Sequence, residues 1–114
     1  MAFQNVFAPA HRKAGECEWV ARIVHEGLLK LGQRPEFIRF RVEGRVQLLS
    51  FSEVSNGVVK THQIATTGNH LAVKLEGRII DAYTGLAGLP LTEYMQRLGT
   101  ASPSQVLHKV VEIP

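Results

Sequence analysis

The sequence predicts an α+β fold, on three observations: an amphipathic helical stretch near the start, a series of short runs rich in β-branched and aromatic residues, and a turn signal between each run and the next. From Glu16 to Leu31, apolar Ala21, Val24, Leu28 and Leu31 recur at intervals of three and four, and stepping back four from Ala21 places Cys17 on the same face. Cys17 is therefore expected to point inward. Gly15 can cap this helix, Glu16 and Glu18 suit the positive end of its dipole, and Leu31-Gly32 with Pro35 soon after forms a stop.

Five strands are expected next: Glu36 to Val42, Arg45 to Val54, Val58 to Thr66, His70 to Leu75 and Ile79 to Tyr83. Glu43-Gly44, Ser55-Asn56-Gly57, Thr67-Gly68 and Glu76-Gly77 separate them, and such short Gly-containing turns imply antiparallel neighbours. Leu91 to Leu98 has helical spacing and good helix formers, and is ended by Gly99 and Pro103. Val106 to Ile113 alternates like a last strand. The expected architecture is a leading helix that carries Cys17 and packs on a curved antiparallel sheet, followed by one short helix and a final strand. Residues 1–114 read as a single domain in which residues 1–14 form an N-terminal arm.

The 114 residues can build one core that buries roughly two thirds of the unfolded surface. With 45% hydrophobic and 20% charged residues and no polar tract, the composition is that of a globular protein rather than a disordered one. A single cysteine excludes an internal disulfide and any multi-thiolate metal site, and leaves a free thiol. The first fifteen residues mix Phe3, Val6 and Phe7 with Gln4, Asn5, His11, Arg12 and Lys13, so they do not read as a secretory signal, and nothing elsewhere reads as a membrane span. A cytoplasmic setting is expected. The net charge of +3 comes from dispersed basic residues without aromatic interleaving, which favours a solvated surface over a nucleic-acid patch and leaves room for an acidic partner.

Chemistry enters through three residues: Cys17 at a helix start, His70 at a strand start and Asp81 on the following strand. If Glu76 and Gly77 make a two-residue turn, Leu75 pairs with Arg78 and Ala72 with Asp81, so His70 and Asp81 share a face as diagonal neighbours. A three-residue turn would put them on opposite faces. In the first register Asp81 can orient the imidazole, His70 can withdraw the thiol proton and later protonate a leaving amine, and the helix N-terminus can help to stabilise the thiolate. An oxyanion would need donors, for which the backbone N–H of Cys17 is one source, with Gln4, Asn5, His11, Gln63 or Asn69 as candidates for a second. Each member alone has a plainer reading: Cys17 as a small core residue, His70 as a strand-edge residue, Asp81 as a polar residue before a turn. Their conjunction in this order favours catalysis. No close-spaced ligand pair exists, so neither a metal nor another cofactor is expected. His25, His62 and His108 read as surface or sheet residues, and Trp19, Phe37, Phe40 and Phe51 as mainly core.

On these residues the chain resembles the papain-fold toxin domains of bacterial polymorphic and contact-dependent toxins, and more distantly the papain-like and transglutaminase-like cysteine enzymes. The resemblance lies in Gly15-Glu16-Cys17-Glu18-Trp19-Val20-Ala21, in the Phe37-Ile38-Arg39-Phe40 strand, in the block from Gln63 through His70 to Val73, and in Gly77-Arg78-Ile79-Ile80-Asp81. It implies a papain-like core, with Cys17 as nucleophile, His70 as general base and Asp81 as orienting acid. It implies hydrolysis of amide bonds, as a peptidase or glutamine deamidase, by an antibacterial effector that acts on protein or peptide substrates in a target cell's cytosol and is neutralised by a cognate immunity protein. Two alternatives stay open: a transglutaminase-like or cell-wall amide hydrolase, and a non-catalytic binding module on the same fold. The Gly-rich segment from Ala82 to Pro90 is this chain's own, either a specificity loop or a connection to the second helix.

Overall fold

The computed structural model describes Phe7 and residues 15–44, 47–100 and 105–112. Gln4, Asn5 and His11 lie outside the described residues, as do Arg45, Val46 and Ile113 from the expected strands. Helix α1 (Cys17–Lys30) precedes strands β1 (Glu36–Glu43), β2 (Leu49–Ser55), β3 (Val58–Ala65), β4 (Asn69–Leu75), β5 (Arg78–Ile80) and β6 (Leu89–Pro90). Helix α2 (Leu91–Arg97), β7 (Leu98–Thr100) and β8 (Gln105–Val111) follow. The fold is α+β, with an N-terminal helix carrying Cys17 and antiparallel sheets. The strands divide between two of them, one of five in the order β6-β5-β4-β1-β8 and one of three in the order β3-β2-β7.

The layers follow from the alternation of side chains along the strands. Phe37 pairs with Val73 and Arg39 with Leu71, while Ile38 pairs with Ala72 and Phe40 with His70, so these two sets occupy opposite faces of the larger sheet. Helix α1 covers the first face: it packs mainly on β4, buries Val20, Ala21, Val24 and Leu28, and stacks His25 on Phe37 with ring centroids 4.0 Å apart. The second sheet and α2 cover the other face, where the Tyr94 ring packs 5.0 Å from Phe40 and 5.1 Å from Phe51. His70 belongs to this inner face.

Several boundaries differ from expectation. The N-cap of α1 is Glu16 rather than Gly15, with no side-chain capping bond, and the helix ends at Lys30 so that Leu31 is 64% exposed. Trp19, expected in the core, is 38% exposed, because the buried stripe of α1 runs through Val20, Ala21, Val24 and Leu28 and leaves position 19 to one side. Strand β2 starts at Leu49, with Gln47 and Leu48 outside it, and β5 stops at Ile80 rather than Tyr83. The cause of the second difference is local. The Asp81 carboxylate accepts the backbone N–H groups of Tyr83 and Thr84 at 2.8 and 2.9 Å, and a side chain that takes the next two donors turns the chain out of the ladder.

The β4–β5 turn has the two-residue form, with Leu75 opposite Arg78 and Val73 opposite Ile80. Glu76 and Gly77 both adopt positive φ, 51° and 79°, as a primed hairpin turn requires. The segment after Asp81 is tied back to β5: the Arg78 guanidinium donates to the carbonyls of Ala87 and Gly88 at 2.9 and 3.1 Å. Gly88 passes so close to β5 that a Cβ there would lie 2.8 Å from the Ile79 carbonyl oxygen. No helix among the described residues is long and apolar enough to cross a membrane.

Candidate active site

The early end of β5 makes the site. Val42 N–H bonds to Gly68 O at 2.8 Å, which fixes the phase of the β1–β4 ladder so that Leu71 N–H points away from β1. Further along, β5 occupies that side of β4 from Val73 onward, but its last paired residue is Ile80. Leu71 lies beyond the last β4–β5 pair, and its N–H, together with that of Glu18 in the first turn of α1, helps to stabilise the Cys17 thiolate. Thus the N-terminus of α1 on one face and His70 on the other meet at a gap in the sheet.

His70 stands between thiol and carboxylate. Its Nε2 lies 3.0 Å from Asp81 Oδ2, its buried Nδ1 makes no hydrogen bond, and the imidazole stands close enough to the Cys17 thiol for each to shift the other's proton affinity. His70 and Asp81 are 1% and 3% exposed, so water hardly weakens their interaction, whereas Cys17 is only half-buried and remains accessible. With Nε2 taken by Asp81, Nδ1 is the imidazole nitrogen that remains free for an exchange of protons with the thiol. No cluster of three His, Cys, Asp or Glu side chains among the described residues is arranged to hold a metal ion.

Tyr94 is the member that the sequence did not disclose. Its hydroxyl donates to Asp81 Oδ2 at 2.5 Å, on the oxygen that also faces His70. With Leu91, Met95 and Leu98 it forms a helical i, i+3, i+4, i+7 line, and that pattern reads as plain core. The signal was the hydroxyl itself, since a buried tyrosine O–H requires a partner. The Asp81 carboxylate thus meets four donors: Tyr94 O–H and His70 on Oδ2, and the backbone N–H groups of Tyr83 and Thr84 on Oδ1. Gln63 and Asn69 are not brought to the thiol. Gln63 is exposed beside Leu48, Ser50 and Gly99, and Asn69 donates to the Thr67 carbonyl at 3.3 Å.

Burial alone would push every one of these groups toward its neutral form, and the mutual interactions overcome it in three of them. The four donors on Asp81 hold its carboxyl below the usual carboxylate value of 3.8 against full burial. Burial would lower His70, but Asp81 and Cys17 together raise it to about 9. Cys17 is held below its ordinary 9.0, against desolvation, by His70 and by the Leu71 and Glu18 N–H groups. Burial and the adjacent carboxylate keep Tyr94 a protonated donor well above 10. Each of these three shifts favours the charged form, thiolate, imidazolium and carboxylate.

No family model, curated protein or solved structure matches the chain. The reading of the site therefore stands on its geometry and charge.

The pair leaves a signature in stability against pH. A raised histidine contributes stability that is fully present below 6.5 and lost as pH rises through about 9. A lowered thiol contributes stability that is present above 9.0 and lost as pH falls through its depressed value. In the wild type the two trends oppose each other, so the thiol's gain with rising pH offsets part of the histidine's loss. Cys17→Ala leaves the histidine trend uncompensated. Its unfolding free energy in urea is expected to decline from pH 6.5 toward pH 9 more steeply than that of the wild type, and parallel curves would refute the ion pair.

Proposed function

We propose that this chain is a papain-like cysteine hydrolase that cleaves amide bonds, as a peptidase or glutamine deamidase, and that it serves as an effector domain of the bacterial polymorphic toxin kind. The observation that carries the reading is the Cys17–His70–Asp81 relay, with its half-buried thiol at a helix N-terminus and its fully buried imidazole–carboxylate pair. A half-buried thiol held below its ordinary value is a better nucleophile than an unperturbed one, whereas a plain core thiol is shifted the other way by burial. The effector role and an immunity partner rest on the resemblance of the motif blocks alone.

In this mechanism the Cys17 thiolate attacks the carbonyl carbon of an amide, forming a C–S bond and a tetrahedral oxyanion. The backbone N–H of Cys17, at the start of α1 where the first N–H groups lack helical acceptors, is one donor for that oxygen. Imidazolium Nδ1–H then protonates the leaving nitrogen, the C–N bond breaks, and an amine or ammonia departs from a thioester. Water attacks the thioester as neutral Nδ1 takes its proton, the C–S bond breaks, and the carboxylic product leaves the thiolate–imidazolium pair restored. Throughout, Asp81 keeps the other proton on Nε2 and offsets the charge of the imidazolium, and Tyr94 holds the carboxylate in place.

Mass spectrometry of a cell extract treated with wild-type or Cys17→Ala protein tests the proposal directly. Conversion of glutamine to glutamate, a gain of about one dalton, or new peptide termini are expected only with the wild type. Identical peptide maps from the two treatments, at protein levels where the wild-type thiol is alkylated readily at pH 7, would refute it.

A further inference from the structure

We infer that strand β8 and the outer face of β1 form a docking site for an extended acidic segment of a partner protein, which adds to the sheet as a further strand. The five-stranded sheet ends at β8, which pairs with β1 on one side and with no other described strand on its far side. Leu107 and Val110 of this edge are 40% and 42% exposed. An edge strand displays a row of unpaired N–H and C=O groups, and a polypeptide in extended form is the ligand that can satisfy all of them.

Charge selects the kind of polypeptide. Arg39 and Lys109 are direct cross-strand partners, and Arg41, opposite Leu107, follows two residues along on the same face. Like charges placed directly opposite one another destabilise a sheet unless something compensates them. Among the described residues neither Arg39 nor Lys109 has an ion pair, and Arg41 has only a loose one, 3.7 Å from Glu43. The three cations, with Leu107, His108 and Val111, line an open groove of about 360 Å³. Along an added strand, side chains on one face repeat every second residue, so carboxylates at alternate positions would run over this row while the backbone pairs with β8. The interleaved Leu107 and Val111 offer apolar contact between the charges. A nucleic-acid backbone could meet the cations but not the strand edge, and for this reason the observations favour a protein segment. The site is separate from the thiol and stands or falls without it.

Fluorescence anisotropy with a labelled, end-blocked nine-residue peptide alternating Glu and Thr tests this on the full chain. Saturable binding is expected, weakened at least tenfold by Lys109→Glu on the exposed strand and by Arg39→Gln, and lost for a peptide with Lys in place of Glu or with Pro at the alternate Thr positions. Circular dichroism verifies that both variants are folded. Four results would overturn the proposal: no binding, equal binding by the variants, tolerance of the prolines, or a single-stranded oligonucleotide bound as tightly as the peptide. Sedimentation that shows a dimer disrupted by Lys109→Glu would also overturn it, assigning the edge to a second copy of the chain.

Discussion

Asp81→Asn is expected to remove the reactivity of Cys17 at neutral pH while leaving the fold largely intact, and Asp81→Ala to damage both. In the asparagine variant the side-chain oxygen still accepts the Tyr83 and Thr84 N–H groups, so the turn that ends β5 survives. The amide nitrogen then faces His70 Nε2, where a carboxylate oxygen stood. A donor at that place selects the tautomer with a bare Nε2, which puts the ring proton on Nδ1, against the thiol. An imidazole in that tautomer has no lone pair with which to take the thiol proton, and a loss of about 10⁴-fold in amide hydrolysis is the scale that such a tautomer reversal produces in hydrolases built on a triad. The alanine variant leaves His70, Tyr94 and two backbone donors without their acceptor in a buried site, and removing one partner of a buried ion pair costs about 3–5 kcal/mol. Urea unfolding and iodoacetamide labelling of the same samples separate the two effects. An asparagine variant that labels at pH 7 as fast as the wild type would show that Asp81 does not set the imidazole's protonation.

The contrast between Asp81 and Tyr94 shows which parts of the site were legible in the sequence. Local rules sufficed for the first: a two-residue turn at Glu76-Gly77 fixes the register, and alternation then puts His70 and Asp81 on one face. The placement of Cys17 at a helix start was equally local, since apolar spacing and flanking acids mark the end of α1. Tyr94 belongs to another kind of problem. Its hydroxyl finds Asp81 only because α2 is seated on the inner face of the larger sheet, and that seating depends on β2 pairing with β7, some fifty positions apart in the chain. Alternating hydrophobicity identifies a strand but not its partner, so one curved sheet was expected where two are present. The gap at Leu71 was hidden for a related reason. Asp81 ends β5 early by taking the next backbone donors, so the same residue supplies the acid and leaves Leu71 beyond the last β4–β5 pair, beside the thiol. Gln63 failed as an oxyanion donor on the same count, since β3 lies at the far edge of the smaller sheet.

Replacing His70 has the largest expected effect on the thiol, because it reverses the balance of forces on Cys17. In the wild type, desolvation raises the thiol's proton affinity and the imidazole lowers it by more, with the Leu71 and Glu18 N–H groups assisting. In His70→Ala the largest opposing interaction is gone and desolvation remains, so the thiol should move from below 9.0 to that value or above it. A thiol with its ordinary affinity is ionised to about one per cent at pH 7, and the iodoacetamide rate should fall by one to two orders of magnitude there, with wild type and variant converging above pH 10. The pH profile carries more information than the rate at any single pH. For the wild type, labelling should begin to rise well below pH 8 as the ion pair forms, while amide cleavage should fall again as pH passes about 9, where the imidazolium loses the proton that the leaving nitrogen requires. Labelling has no need of a leaving-group acid, so its rate should show no such decline. That divergence separates a catalytic relay from a thiol that is merely reactive. A core cavity from the lost ring complicates His70→Ala, and His70→Gln, which fills the space without a titratable nitrogen, serves as the check: it should label as slowly as the alanine variant while unfolding at a higher urea concentration. Fast labelling of His70→Gln at pH 7 would place the source of the thiolate elsewhere, in the helix N-terminus and the backbone donors alone.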